Sequence, residues 1–339
     1  MKVSVVVPTY NRGSALAQTL DRLAASELQE GDELEILVVD DGSAVPAREV
    51  VASTVLRAAP ASWPVRWLRQ VNAGPAAARN AGFRAADGEL VLFIDDDILA
   101  PHDLVRAHVA AHRAHPLSVI FGPCPFVPAS RPTPFRSFVE ETQRGSSPMG
   151  EITLAPIVAS GQISVERPQF AEAGAVYSPE MTTPAAEEYE LTFRLRARGI
   201  PILMAPDIVA LHDQQVDVTS YCRQQYKHGI GCGEAAAKRP ELLDLTELAR
   251  VVHAAHPDRA GDGRSGEGLV KTVLTRPRAR AALLRLARGL EHVPVPDRLR
   301  FAAYRAAVAA HFVAGVRDGL SRFSPARPVT RKERIRPWP

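Results

Sequence analysis

The sequence has few cysteines, no long apolar run and no leader-like N-terminus. Three cysteines occur in 339 residues, and this small odd number argues against the disulfide framework of secreted proteins. The longest apolar stretch, residues 301–316, is interrupted by Arg305 and His311, so a membrane span is not expected. The apolar run at residues 3–7 is too short for the core of a signal peptide. We therefore expect a cytoplasmic protein.

The sequence also has little net charge, +3, but the charge is unevenly distributed. Residues 240–339 contain 19 Lys and Arg against 10 Asp and Glu, whereas residues 1–239 contain 22 against 28. A basic C-terminal region favours an anionic partner, such as a membrane surface, an anionic lipid carrier or nucleic acid. Amphipathic basic helices either lie on anionic membranes or pack against their own domain. Peripheral contact with the inner face of the membrane is thus one alternative, and no nucleic acid is expected.

Short apolar runs alternate with helix-forming segments over the first hundred residues. Strand-like runs lie at residues 3–7, 34–39, 65–68 and 90–94. This alternation predicts an α/β fold with a mostly parallel sheet and helices on both faces. In such sheets the loops after the strands meet at one edge, and ligands bind there.

Beyond residue 100 the pattern becomes irregular and then helical. Pro-rich residues 123–184 contain strand-like pieces at 152–155 and 163–165, and residues 186–198 predict a helix followed by short strands at 200–205 and 208–212. A Gly/Asp-rich break at 257–268 precedes an Ala/Arg-rich end. We predict one domain over residues 1–240 and a basic helical extension over residues 241–339, whose tail at 327–336 is expected to be disordered.

Three adjacent carboxylates, Asp95, Asp96 and Asp97, directly follow the fourth strand-like run. Adjacent carboxylates repel one another unless a cation or hydrogen bonds neutralise them. Proteins commonly hold Mg²⁺ or Mn²⁺ with one or two carboxylates together with substrate phosphates. The cluster therefore predicts a divalent metal beside a diphosphate, with a solvated turn as the alternative.

Asp40 and Asp41 follow the second run in the same way, and Gly42 after them permits a tight turn. Their carboxylates can accept hydrogen bonds from the imide of a base or from ribose hydroxyls. An ordinary Asp-Gly-Ser loop has the same composition.

Four segments of the sequence, taken together, resemble one protein family. They are residues 5–12 (VVVPTYNR), 39–43 (VDDGS), 72–82 (NAGPAAARNAG) and 93–97 (FIDDD). In content, order and spacing they resemble family 2 of the inverting glycosyltransferases, which have the GT-A fold. The resemblance implies a Rossmann-like domain that binds a nucleotide with residues 1–100, and an acceptor with residues 101–240, where catalysis also takes place.

The resemblance also implies which residues contact the donor, a nucleotide-diphosphate sugar of UDP type. Thr9 and Tyr10 would lie near the nucleoside, Asp41 would contact the base, and Arg79 would contact the base or the phosphates. Asp95 and Asp97 would form the metal-binding pair, with Asp97 directly on the metal. The remaining residues of these motifs complete the predicted donor site: Pro8, Asn11, Arg12, Asp40, Asn72, Gly74 and Asp96.

A fifth segment, residues 186–191 (AEEYEL), resembles the family's helix motif in which the second of two acidic residues is the catalytic base. That position is Glu188, but the pair is Glu-Glu instead of Glu-Asp, so the assignment stays open between Glu188 and Glu187. Acidic residues in the first turn of any helix give the same pattern. His212 matches a histidine that completes the metal or diphosphate site in many relatives, with a structural histidine as the alternative. Residues 221–233 are expected beside this site.

These resemblances imply a metal-assisted, inverting transfer to a hydroxyl of a saccharide, a lipid-linked sugar or a small molecule, in polysaccharide, glycolipid or natural-product glycosylation. Glu188 would take the acceptor proton while Mn²⁺ or Mg²⁺ at Asp97 absorbs charge on the departing diphosphate. One alternative is a non-catalytic protein that binds nucleotide-sugars or scaffolds an assembly. Another is a sugar-phosphate nucleotidyltransferase, which would need a Gly-rich basic loop that residues 8–13 lack.

Overall fold

The computed structural model describes residues 1–58, 63–129, 132–144, 152–255 and 275–324. The predicted break at 257–268 and the predicted disordered tail at 327–336 lie outside the described residues. Among the described residues, no helix combines the length and the apolar character that crossing a membrane requires.

The strands form one large sheet and one small one. They are β1 (Lys2–Thr9), β2 (Glu33–Asp40), β3 (Val65–Arg69), β4 (Leu90–Ile94), β5 (Ile98–Leu99), β6 (Val119–Phe121), β7 (Thr153–Leu154), β8 (Gln162–Glu166), β9 (Ile202–Met204) and β10 (Leu211–His212). The large sheet has the order β3-β2-β1-β4-β8-β6-β9-β7, and β10 pairs with β5 in the small sheet.

Ten α-helices are described, on both faces of the large sheet and beyond its edge. They are α1 (Gly13–Ala24), α2 (Arg48–Ala58), α3 (Pro75–Ala85), α4 (Leu104–Ala114), α5 (Pro134–Arg144), α6 (Ala186–Ala197), α7 (Val218–Lys238), α8 (Thr246–Ala255), α9 (Pro277–Gly289) and α10 (Asp297–Phe323).

The predicted α/β architecture is confirmed. Strands β3, β2, β1 and β4 are parallel neighbours, so their carboxyl ends share one edge. Strand β8 is inserted antiparallel between β4 and β6, a pairing that the sequence pattern did not indicate. One face of the sheet packs on α1 and α4 through residues such as Leu16, Leu20 and Val105, and the other packs on α3 and α6.

The described part of the C-terminal extension packs onto α7. Helix α10 lies against α7, where Gly229 and Gly233 face Gly315 and Gly319 so closely that a Cβ on any of them would meet the other helix's backbone. Helix α8 joins the same apolar cluster through Leu248. The predicted boundary near residue 240 therefore falls within a continuous helical layer.

The close approach of α7 and α10 gives a testable expectation. A Cβ at Gly315 would lie 2.1 Å from the carbonyl oxygen of Tyr226. Gly315→Ala should therefore lower the free energy of unfolding by about 1–3 kcal/mol in denaturant titrations. The matched control is Gly289→Ala, because no atom lies within 4 Å of the added methyl there and alanine favours a helix. Equal stabilities of the two variants would contradict this packing.

Candidate active site

A cleft of about 740 Å³ opens at the edge where β1, β2 and β4 end. Fourteen of the sixteen residues predicted for the site line this cleft: Pro8, Thr9, Tyr10, Arg12, Asp41, Asn72, Gly74, Arg79, Asp95, Asp96, Asp97, Glu187, Glu188 and His212. The parallel register explains the convergence, because the loops after parallel strands emerge at the same edge.

The other two predicted residues are not among those that line the cleft: Asp40 is the last residue of β2, and Asn11 lies in the loop after β1. Asp40 is fully buried and accepts hydrogen bonds from the backbone N–H groups of Ser43 (2.8 Å) and Ala47 (3.0 Å). Asn11 adopts a positive φ of 56° and accepts a hydrogen bond from Ala44 N–H. In the described structure both side chains shape the loops after β1 and β2.

Asp41 lies in the wall of the cleft and organises the loop at 70–74. Its carboxylate accepts hydrogen bonds from Gln70 Nε2 (2.7 Å), Ala73 N–H (2.9 Å) and Gly74 N–H (2.9 Å). These bonds hold the loop just before α3, so the position of Asp41 sets the position of the helix N-terminus that faces the cleft.

Arg12 joins two of the three adjacent carboxylates. Its Nη1 atom lies 2.9 Å from Asp96 Oδ1 and 2.7 Å from Asp97 Oδ2. Thr9 Oγ1 also donates to Asp96 Oδ2 at 2.7 Å. Burial raises the pKa of Asp96 to about 6, although the contacts with Thr9 and Arg12 lower it. The repulsion expected between adjacent carboxylates is thus relieved by a cation and a hydroxyl from the β1 loop.

Asp97 is also paired with His212, although the two residues are far apart in the sequence. Strand β10 pairs with β5, which directly follows the three carboxylates, and places His212 Nε2 at 3.0 Å from Asp97 Oδ2. The imidazole stacks on Phe126 with ring centroids 5.6 Å apart. Burial alone would raise the pKa of Asp97, but His212 and Arg12 lower it, so this carboxylate is ionised at neutral pH.

Arg79 connects the third carboxylate to the catalytic candidates. Its Nη2 atom lies 2.6 Å from Asp95 Oδ1, and its Nη1 atom lies 3.7 Å from Glu187 Oε1. Burial alone would lower the pKa of Arg79, but the charge of Asp95 raises it above its usual value. A permanently charged guanidinium therefore lies at the cleft wall, on the first turns of α3.

Glu187 and Glu188 lie in the first turn of α6 and have different surroundings. Glu187 is 4% exposed, and burial followed by repulsion from Glu188 raises its pKa. Glu188 is half-buried, and its Oε1 atom accepts hydrogen bonds from the backbone N–H (3.1 Å) and the hydroxyl of Ser160. Glu188 is thus held at the cleft by a neutral donor.

The segment before α6 is fixed from behind by α7. Ala185 adopts a left-handed conformation (φ 75°), which is unfavourable for a residue with a Cβ. Glu234 of α7 is fully buried and accepts hydrogen bonds from the backbone N–H groups of Thr182 (3.0 Å) and Thr183 (2.9 Å). This bracing maintains the turn that presents Glu187 and Glu188.

Comparison with known proteins identifies the family. The model of "Glycosyl transferase family 2" matches residues 4–154, the region that supplies β1 to β4 and all three carboxylates. Residues 4–154 carry a family 2 glycosyltransferase domain. The predicted resemblance to this family is thereby confirmed.

The chain is similar to a curated protein over most of its length. It is 29% identical over 274 residues to a validoxylamine A glucosyltransferase of Streptomyces hygroscopicus subsp. limoneus, covering 71% of this chain. The chain spans only 57% of that relative's length.

Solved structures confirm the GT-A fold. The mannosyltransferase PcManGT of Pyrobaculum calidifontis, solved with GDP-Man and Mn²⁺, superposes with a TM-score of 0.57 at 19% identity, covering 92% of this chain and 86% of that one. S. aureus TarS 1-349 superposes with a TM-score of 0.51 at 17% identity, with coverages of 94% and 91%.

The side-chain atoms at the end of β4 and on β10 suit the coordination of a hard divalent metal. Asp97 Oδ2 and His212 Nε2 converge within 3.0 Å, and Asp95 belongs to the same strand end. Within the described residues, no three His, Cys, Asp or Glu side chains form a complete metal site. Mg²⁺ commonly takes its remaining ligands from substrate phosphates. Arg12, whose side chain is 46% exposed, can leave Asp97 for such a cation.

Several residues of the cleft were not among the sixteen predicted site residues. Ser160, Gln214, Gln224, Lys227 and His228 all line it. Three of them belong to residues 221–233, which were expected beside the site. Ser160 and Gln214 lie in irregular segments, where no periodicity indicates which side chains face the cleft.

Below the family 2 cleft, a buried histidine pair connects α4 to β8. His108 hydrogen-bonds Ser164 Oγ (2.8 Å) and Gln162 Oε1 (2.9 Å), and His112 Nε2 also lies 2.8 Å from Ser164 Oγ. Burial lowers the pKa of both histidines to about 4. The folded protein therefore contains them as neutral rings.

This pair predicts a loss of stability in weak acid. Between pH 6.5 and 4 the unfolded chain binds protons at His108 that the folded protein excludes, so the free energy of unfolding should fall as the pH falls. Urea titrations should show a weaker pH dependence in this window for His108→Gln than for the wild type. The same slope in both proteins would contradict the assignment of a neutral buried ring.

Proposed function

We propose that this chain transfers a sugar from a nucleoside diphosphate donor, of UDP type, to an acceptor hydroxyl with inversion and with the help of Mn²⁺ or Mg²⁺. The observation that carries the proposal is one cleft lined by the carboxylates after β4 and by the glutamates that begin α6. The carboxylates after β4 suit a cation and a diphosphate, and the glutamates of α6 suit proton abstraction.

The donor would lie along the ends of β1, β2 and β4. Thr9 and Tyr10 would contact the nucleoside, and Asp41 would contact the base with the lone pairs that its loop bonds leave free. Arg79 and the N-terminus of α3 provide positive charge for the phosphates. A divalent cation held by Asp97 and His212 would neutralise charge on the departing diphosphate.

Glu188 is the proposed general base. It is half-buried at the cleft, and Ser160 orients it without neutralising its charge. It would accept the proton of the acceptor hydroxyl as that oxygen attacks the anomeric carbon, and the bond to the diphosphate would break on the opposite side. Glu187 would orient Arg79, which lies 3.7 Å away. The second glutamate is thus favoured over the first.

The acceptor class is proposed from chemistry and from one relative. The name of the Streptomyces relative specifies a glucosyltransferase acting on validoxylamine A. By analogy, the acceptor of this chain would be a hydroxyl-bearing small molecule or a saccharide, free or lipid-linked.

A panel of nucleotide-sugars tests the proposed function. Purified protein is incubated with UDP- and GDP-sugars and Mn²⁺, and nucleotide release is measured with and without chelator. We expect metal-dependent release from at least one donor. Tight donor binding without any release, with or without candidate acceptors, would favour a non-catalytic nucleotide-sugar-binding protein instead.

We also propose a cytoplasmic location with peripheral contact to an anionic membrane. Leu286, Val293 and Leu299 are exposed around the junction of α9 and α10, and α9 carries Arg285 and Arg288 beside them. Exposed apolar side chains among arginines favour anionic lipid surfaces. Co-sedimentation with phosphatidylglycerol vesicles should fall with added salt and in Leu286→Glu. Absence of binding at low salt would contradict this contact.

A further inference from the structure

A second cavity, of about 240 Å³, lies beside the candidate active site. Its walls come from the segment after β10 and from one face of α7. Gln214, Gln224 and Lys227 line both this cavity and the main cleft, so the two spaces share a wall.

The shared wall lies at the catalytic end of the cleft. Gln214 follows His212 by two residues, and Lys227 directly precedes His228, which lines the main cleft together with Glu188. Asp41 and Asn72, at the proposed nucleoside end, line only the main cleft. A group bound in the second cavity would therefore belong to a molecule that approaches Glu188 from the acceptor side.

The lining of this cavity is positively charged. Among the described residues that line it are Arg223 and Lys227, one helical turn apart, and none of these described residues carries a carboxylate. Both side chains are exposed, and Lys227 forms no ion pair with any of the described residues. Cations accompanied by glutamine amides favour a ligand with several anionic oxygens.

Asp217 is an acidic neighbour of Arg223 and is already engaged. Asp217 caps α7 by accepting hydrogen bonds from Thr219 N–H (2.7 Å) and Ser220 N–H (3.0 Å). It is outside the cavity lining. Among the described residues of the lining, the two cations are therefore accompanied by no carboxylate.

We propose that this cavity binds a phosphate group of the acceptor, with Lys227 and Arg223 as its cationic contacts and Gln214 and Gln224 as amide donors. The inference rests on the proposed function, and it narrows the acceptor to a phosphorylated molecule. The donor's own phosphates would lie on the other side of the shared wall, near Asp97 and Arg79.

Binding of glucose 1-phosphate tests the inference. The protein is first saturated with UDP and Mn²⁺, so that the donor phosphate site is filled, and glucose 1-phosphate is then titrated by calorimetry. We expect binding that unphosphorylated glucose does not reproduce. The double variant Arg223→Gln/Lys227→Gln should bind about tenfold more weakly, because it lacks both cationic contacts. Arg22→Gln, an exposed change on α1 outside both cavities, should bind like the wild type.

A second arm of the experiment identifies the source of the phosphate. Phosphatidylcholine vesicles with and without phosphatidic acid replace glucose 1-phosphate. If the double variant binds more weakly than the wild type only to vesicles with phosphatidic acid, the cavity binds a lipid-linked phosphate. If it binds more weakly to glucose 1-phosphate, the cavity binds a soluble phosphate.

Two results overturn the inference while leaving the proposed function intact. In one, the double variant binds both phosphate probes as tightly as the wild type does. In the other, the wild type binds UDP with Mn²⁺ but neither probe. Failure of UDP and Mn²⁺ to bind would contradict the proposed function, and the acceptor inference with it.

Discussion

Glu188→Gln is expected to lower the turnover number for sugar transfer by about 10²- to 10⁴-fold, the usual contribution of a general base. The amide keeps the shape of the side chain and can still meet Ser160, but it cannot accept the acceptor's proton. Donor affinity should change little. Transfer kinetics and UDP-sugar calorimetry on the same preparation measure both quantities.

The controls for this prediction separate the two glutamates. Glu172→Gln, an exposed change outside the cleft, should retain full activity. Glu187→Gln should also weaken donor binding, because it alters the contact that orients the buried Arg79. If Glu188→Gln transfers sugar at the wild-type rate and Glu187→Gln does not, the base is Glu187.

Asp97→Asn is expected to lower metal-dependent transfer by about 10³-fold, which corresponds to several kcal/mol of lost charge stabilisation. Asparagine preserves the volume of the side chain but removes the charge that would hold the cation. The measurement is the rate of transfer as a function of Mn²⁺ concentration.

Asp103→Asn is the matched control for this change. Asp103 precedes α4, is partly exposed and lies outside the cleft, so its variant should show the wild-type Mn²⁺ dependence. A wild-type rate for Asp97→Asn at saturating Mn²⁺ would mean that Asp97 holds no catalytic metal.

The strands and candidate site residues of residues 1–100 could be predicted because the sequence signals for them are local. Each polar motif directly follows a buried apolar run, and parallel strands bring such motifs to one edge. Asp97 was predicted from its place after such a run, whereas Glu188 was predicted from the resemblance of residues 186–191 to the family's helix motif. The same locality failed for Asp40, because a sequence pattern does not tell which of two adjacent aspartates faces the cleft.

The contacts that complete the site depend on pairings distant in the sequence. The antiparallel insertion of β8 beside β4 depends on strands far apart in the chain, and no periodicity encodes it. The role of Arg12 as a bridge between Asp96 and Asp97 depends on the loop after β1 reaching the end of β4. The bracing of α6 by Glu234 likewise requires α7 to pack behind it.

The packing of the C-terminal helices could not be predicted from their sequence pattern. These amphipathic helices were expected as a C-terminal extension. Single glycines in the sequence do not indicate that α10 approaches α7 closely. Only the pairing of Gly229 and Gly233 with Gly315 and Gly319 shows that the helices form one layer. That layer also carries the wall of the second cavity.

A crystal structure of the protein with Mn²⁺ and UDP would test the central claim most directly. We expect an anomalous signal from a manganese ion that Asp97 coordinates, with His212 at or beside the ion. The diphosphate should bind the same ion, and Arg12 should no longer contact the carboxylate of Asp97. A diphosphate bound by Arg12 and Arg79 alone, with no manganese at Asp97, would contradict this claim.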